Sequence, residues 1–197
     1  MNTRTNRQIL LIDAHPSEGS LGQALASEYA AGASAAGHAV ERLNLRDLAF
    51  DPNFPGYGRG DRTPVPDIER AQALLRNSEH TVWVFPVWWG TYPALLKGFL
   101  DRSFTPGFAF RGVSKYKVEG LLGGRSARLL VTMDSPVWYD WLRGQPAVRA
   151  MRDHTLRFCG IAPVRVVRFG VVKYSAESDR SRWLEQVRRL GERAALI

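Results

Sequence analysis

The apolar positions of this chain fall into two rhythms that alternate from one end to the other. "QILLID" (8–13) is a near-continuous apolar run, the pattern of a strand covered on both faces. "HAVERLNL" (38–45) alternates apolar with polar, like a strand nearer an edge. "HTVWVF" (80–85), "ARLLVTM" (127–133) and "VRVVRFGVV" (164–172) predict three more strands. Helical spacing fills the intervals. The Ala-rich stretch 19–37 stops at Gly37. The stretch 65–78 has Pro66, Asp67 and Glu69 where a first turn favours them. Residues 92–104, 146–160 (closed by Gly160) and 176–196 predict the remaining helices. Residues 46–65, with "DPNFPGYGRG", and 105–126 read as long loops.

Strands that alternate with helices predict an α/β fold: a parallel sheet with helices on both faces, joined by right-handed crossovers. There is no internal repeat and no linker, so the 197 residues read as a single domain with two decorated loops.

Composition changes this picture little. Hydrophobic residues make up 45% and charged residues 23%, a globular balance. The lone Cys159 rules out an internal disulfide and suits a reducing cytoplasm. The amino-terminal apolar run of four residues is too short for a leader core or a membrane span, so no stable membrane insertion is expected. Charge is more telling. Of the net +8, residues 111–197 carry 17 Lys/Arg against 8 Asp/Glu, while residues 1–110 carry 10 against 11. A basic half draws in anions. The arginines are scattered singly, and no RRM, KH or zinc signature is present, which argues against a nucleic-acid partner.

In an open parallel sheet, ligands bind beyond the carboxyl ends of the strands. Three segments fall there. In "AHPSEGSLG" (14–22), Ser17, Gly19 and Ser20 bring hydroxyls and free N–H groups to a helix N-terminus, which attracts phosphate, and His15 adds a donor. The bland alternative is that Ser20 merely caps the helix and His15 packs locally. In "PVWWGTY" (86–92), Pro86 and Gly90 shape a corner whose main chain is free to read a planar ring, with Trp88 and Trp89 offering flat apolar faces. The alternative is two tryptophans packed in the core or in a subunit interface. In "TMDSPVWY" (132–139), Thr132 to Ser135 follow a strand, and Tyr139 lies a few residues on. The alternative is a plain turn at Asp134-Ser135-Pro136 with a surface tyrosine.

Other chemistries fit less well. The 14–22 loop is neither a Walker loop nor G-x-G-x-x-G. "GSLG" lacks the G-x-S-x-G elbow of a serine hydrolase. Cys159 sits amid apolar residues, as structural cysteines do. His15, His38, His80 and His154 have no metal-ligand spacing, so no metal is expected.

"AHPSEGSLG", "FPVWWGTYPALLKGFLDRSF" (85–104), "GFAF" (107–110), "VTMDSP" (131–136) and "FCG" (158–160) together resemble the flavodoxin-like NAD(P)H:quinone oxidoreductases. That family includes quinone reductases, modulators of drug activity and ancillary flavoproteins of potassium efflux systems. The resemblance covers about residues 8–172 and implies a flavodoxin-like three-layer sandwich with strand order 2-1-3-4-5. It also implies site roles. His15, Ser17, Ser20, Leu21 and Gly22 would hold the flavin's phosphate end. Pro86, Val87, Trp88, Trp89 and Gly90 would run along the isoalloxazine. Thr132, Met133, Asp134 and Ser135 would embrace its other edge. Tyr139 would act near flavin and hydride, and Phe108, Ala109 and Phe110 would line the acceptor pocket of the partner subunit.

The chain departs from the family's mammalian members in having Met133-Asp134-Ser135 in place of a Gly-rich run. No histidine matches their charge-relay partner after Tyr139; Arg143 is offered instead. The resemblance implies FMN, or alternatively FAD, as cofactor. NAD(P)H would be the hydride donor, a quinone-like aromatic molecule the acceptor, and the assembly a homodimer. It also leaves room for a non-catalytic flavin-holding subunit of a transport system.

Overall fold

The computed structural model describes residues 6–56 and 65–194. Five parallel strands form the central sheet: β1 (Gln8–Asp13), β2 (Ala39–Asn44), β3 (His80–Pro86), β6 (Ser126–Thr132) and β7 (Val164–Phe169). Between β3 and β6, β4 (Phe110–Ser114) and β5 (Lys117–Gly120) pair as an antiparallel hairpin outside the sheet. The helices are α1 (Leu21–Ala35), α2 (Pro66–Asn77), α3 (Ala94–Ser103), α4 (Val137–Leu142), α5 (Pro146–Met151) and α6 (Glu177–Glu192).

The sheet order is β2-β1-β3-β6-β7. The expected order 2-1-3-4-5 counted five strands. The hairpin takes the fourth and fifth places along the chain, so the last two sheet strands are the sixth and seventh. The loop expected at 105–126 therefore holds two strands, and α4 lies in a stretch to which no element was assigned. The helix expected over 146–160 is α5 followed by a π-helical turn, Arg152–Arg157. Most of the "GYGRG" loop (57–60) lies outside the described residues.

Strand alternation sorts side chains into two cores. From β1, Leu10 and Ile12 join Trp83, Phe85, Phe99 and Leu129 beneath α2, α3 and α5. Ile9 and Leu11 join Val82, Val84, Leu25 and Tyr29 beneath α1 and α6. Every residue of β3 and β6 is buried, as central strands covered on both faces must be.

On the second face, α1 and α6 approach until their backbones nearly touch. A Cβ on Gly32 would lie 2.0 Å from the Arg188 carbonyl oxygen, and one on Gly191 would lie 2.2 Å from that of Tyr29. No side chain fits either place.

The amino end of the sheet is sealed by a polar cluster. His80 opens β3, and its ring lies 3.1 Å from the Tyr29 hydroxyl and 2.9 Å from the Ser126 hydroxyl. Arg7 donates to the same Ser126 oxygen at 3.2 Å. Burial, with the charges of Arg128 and Arg7 adding to it, pushes the His80 pKa down to about 3. The same burial raises that of Tyr29.

Candidate flavin site

Three adjacent strands, β1, β3 and β6, end at one rim, so the loops that follow them are neighbours in space. The Ala14 amide donates to the Val84 carbonyl at 2.9 Å, and the Val87 amide donates to the Thr132 carbonyl at 2.7 Å. The loops enclose a cleft of about 190 Å³.

His15, Ser20, Leu21 and Gly22 line the cleft from the first loop. The Ser20 hydroxyl caps α1 by accepting from the Gln23 amide at 3.1 Å, and the Ser20 carbonyl takes the Ala24 amide. Ser20 therefore caps the helix and faces the cleft as well. The amides of Leu21 and Gly22 belong to the first turn and have no carbonyl within the helix to meet. With the helix dipole behind them, they offer an anion site. Ser17 stands outside this wall: it is exposed, and its amide donates to His15 Nδ1 at 3.0 Å.

Beneath the first loop lies a pair that sequence reasoning missed. Asp13, at the end of β1, is fully buried and meets Arg46 at 2.8 Å. Asp13 also accepts from the His15 amide at 3.1 Å, and Arg46 donates to the His15 carbonyl at 3.3 Å. The pair thus grips the loop's backbone from both sides. One signal was in the sequence: a carboxylate at the end of the apolar run "QILLID".

From the second loop come Pro86, Val87 and Trp88. Trp88 is half-exposed, edge-on to His15 with ring centroids 5.8 Å apart. Its amide and carbonyl pair with those of Thr91, closing the turn. Trp89 is placed differently from its neighbour. It sits in the left-handed region at φ 52° and is fully exposed, away from the cleft lining. Gly90 follows at φ 75°, a conformation it adopts without strain. Among the described residues, the amides of Trp89 and Gly90 have no main-chain partner.

The third loop adds Thr132, Met133 and Asp134. Sequence reasoning also missed a fourth wall, Val172, from the loop after β7. That loop is stitched to the third: the Val172 amide donates to the Met133 carbonyl at 3.2 Å, and the Lys173 amide donates to the Asp134 carboxylate at 2.9 Å. Ser135 lies behind the cleft lining and accepts from the Val171 amide. Tyr139, on α4, is half-exposed and packs edge-on to Trp138; it does not reach the cleft of its own chain.

Phe108, Ala109 and Phe110 lie elsewhere. Phe108 and Ala109 are buried, with the Arg76 guanidinium 5.2 Å from the Phe108 ring. Phe110 faces a separate groove beside Phe158 and Tyr92. Cys159 is buried there too, and burial pushes its pKa up to about 12, so it holds no thiolate at neutral pH.

The donors suit a flavin: first-turn amides with a hydroxyl for a phosphate, and unpaired loop amides beside apolar and indole surfaces for a flat, polar-edged ring. Among the described residues, no group of three or more His, Cys, Asp or Glu is placed to hold a metal ion. A family model described as flavodoxin-like fold matches residues 7–192. The chain belongs to this flavodoxin-like family.

Its relatives bear the family stamp over different lengths. An uncharacterized NAD(P)H oxidoreductase of Haemophilus influenzae is 26% identical, over 89% of this chain and 90% of that protein. The ribosyldihydronicotinamide dehydrogenase-like protein traD of Penicillium crustosum is 31% identical over 64% of this chain, a stretch that spans 57% of the fungal protein. Among solved structures, Smu.1420 from Streptococcus mutans superposes with a TM-score of 0.84 at 27% identity, covering 94% of this chain and 98% of that one. Among the described residues, no helix is long and apolar enough to cross a membrane.

Proposed function

We propose that the chain is a flavin-dependent NAD(P)H oxidoreductase that passes two electrons, as hydride, to a quinone-like aromatic acceptor, working as a homodimer. One observation carries this reading. The β1, β3 and β6 loops converge on a single cleft that joins a helix N-terminus to an apolar, indole-edged slot. The family's similarity to named NAD(P)H oxidoreductases supports it.

The cofactor is FMN, whose single phosphate matches the one helix N-terminus at the cleft. Leu21 and Gly22 amides and the Ser20 hydroxyl would hold that phosphate. The Asp13–Arg46 pair keeps their loop in place. Trp88 and Met133 would bound the ring, and the Trp89, Gly90 and Asp134 amides would meet its polar edge. The flavin, when bound, supplies the hydride-accepting and hydride-donating chemistry. The residues orient it, exclude water, and offer a flat aromatic mouth on which nicotinamide and acceptor stack in turn. Tyr139, on α4 outside the cleft lining of its own chain, would donate a hydrogen bond to charge developing on the acceptor. Phe110 and the neighbouring groove serve the acceptor pocket across the dimer, with the buried Phe108 and Ala109 supporting Phe110 from behind.

The purified protein is expected to be yellow, to release FMN on heating, and to lose its visible flavin band when NADH or NADPH is added without oxygen. Menadione should restore the band. A colourless protein that takes up neither FMN nor FAD ends this reading. A coloured one that no nicotinamide bleaches favours a passive flavin-holding subunit instead.

A further inference from the structure

Behind Tyr139 lies a buried charged group that the chemistry above does not use. Arg168 is near the carboxyl end of β7, and its side chain is 11% exposed. Asp140, the residue after Tyr139, is turned inward from α4 and 6% exposed. The Arg168 Nε and an Asp140 carboxylate oxygen lie 3.4 Å apart, close enough for an ion pair but long for a hydrogen bond. Arg168 donates from Nη2 to the Gln145 side-chain oxygen, and its guanidinium lies 5.7 Å from the centre of the Trp141 ring. Gln145 closes the circuit by donating its amide to the Asp140 carbonyl at 2.9 Å.

Gln145 is also strained. Its φ is 54°, the left-handed region that a side-chain-bearing residue seldom enters. It sits at the corner between α4 and α5, where the backbone must reverse. Strain of this kind persists where the surroundings hold it, and here the hold comes from Arg168. The next residue, Pro146, starts α5 and abuts the second cleft loop: a Cβ built on Gly90 would lie 3.6 Å from its Cγ. One arginine therefore ties together β7, α4, and the corner that touches the Trp88–Gly90 loop.

We propose that Asp140, Arg168 and Gln145 form an internal clasp that positions α4, which carries Tyr139 and Trp138, together with the Gln145–Pro146 corner that abuts the Gly90 loop. Arg168 acts through these neighbours and is a positioning residue. A guanidinium suits the task because its rigid fork reaches a carboxylate and an amide at once, which an ammonium does not. The assignment of the mouth to acceptor binding rests on the flavoenzyme reading; the clasp itself does not.

The test compares the parent with Arg168→Met and Arg168→Lys. Flavin-free protein is followed by amide hydrogen exchange, and flavin-loaded protein by steady-state kinetics with menadione. Arg168→Met is expected to speed exchange at residues 137–145 by about tenfold or more, with α1 unchanged, as a local opening does. Arg168→Lys, with one arm of the fork lost, should fall between the two. In the loaded enzyme KM for menadione should rise about fivefold, and kcat should fall by no more than about fivefold, the loss expected of Tyr139→Phe, because α4 carries Tyr139. If exchange at 137–145 is unchanged in both variants, or rises equally in α1, the clasp is overturned. The same holds if KM for menadione stays at the parent value in Arg168→Met. A variant Arg168→Met that does not fold leaves Arg168→Lys to decide, and parent-like exchange there also overturns the proposal. Because exchange is read without flavin, a colourless protein ends the functional reading and leaves the clasp to be judged separately.

Discussion

The two ends of the sheet are built from the same strands and treat polar groups in opposite ways. At the amino end, His80, Tyr29, Ser126 and Arg7 satisfy one another, and His80 and Tyr29 are shut away from solvent. At the carboxyl end, Pro86 and Thr132 close the same two strands, yet the loops beyond them keep amides unpaired and indoles exposed. Buried polar groups are costly unless partnered. The amino end has met that requirement internally, so it contributes stability and no chemistry. The carboxyl end leaves its loop amides open to solvent, where a ligand can take the place of water.

Truncating an aromatic at each end gives the largest contrast. Tyr29→Ala should cost about 3–5 kcal/mol in denaturant melts, the range for emptying a large aromatic site in a packed core. Trp89→Ala, at a fully exposed position, should change stability by no more than about 0.5 kcal/mol. Equal losses would erase the distinction.

Arg46→Met cuts across it, because this buried pair belongs to the cleft end. It should cost about 3 kcal/mol, since Asp13 is left charged and buried. Unlike Tyr29→Ala, it should also weaken FMN binding in the protein that remains folded, measured by flavin titration. Unchanged affinity would detach the pair from the loop it grips.

The next contrast is one of pH. His80 is held neutral when folded, with a pKa near 3, whereas the unfolded chain takes up a proton below its ordinary value of 6.5. Stability from this residue is therefore whole above pH 6.5. It falls by roughly 1.4 kcal/mol per pH unit as the pH drops from there toward 3. His80→Gln should flatten that slope in melts at pH 7 and pH 5, leaving flavin affinity at pH 7 alone. A slope that persists in the variant assigns the acid sensitivity to other groups.

The smallest effect is expected at the mouth. Tyr139→Phe should slow single-turnover flavin reduction about fivefold, the scale of one hydrogen bond, with stability and bound flavin unchanged. Unaltered reduction kinetics would remove Tyr139 from the chemistry.

The sheet was readable because β1, β3 and β6 each carry a run of consecutive apolar residues at their centre, as burial on both faces requires. The hairpin escaped notice for the opposite reason. β4 and β5 are almost wholly exposed, so no hydrophobic alternation marks them. Helix α4 has six residues and an exposed Trp138, Trp141 and Leu142, too short and too apolar outside to show a helical stripe. The cleft's loops could be placed from their strands, since topology alone brings strand ends together. Which indole faces inward could not: Trp88 and Trp89 are adjacent, and a left-handed backbone at Trp89 separates their fates. Arg46 was hidden by distance along the chain, 33 residues from the Asp13 it meets.

The glycine-to-backbone seam between α1 and α6 sets a schedule as well as a packing distance. The turn that offers amides to an anion opens the first helix, yet that helix reaches its final seat against Gly191, close to the end of the described chain. A ribosome must release the chain through α6 before that seat exists. Anion capture at that turn then waits for α6, and a product terminated before Glu177 would carry the loops in its sequence without a stable perch for them.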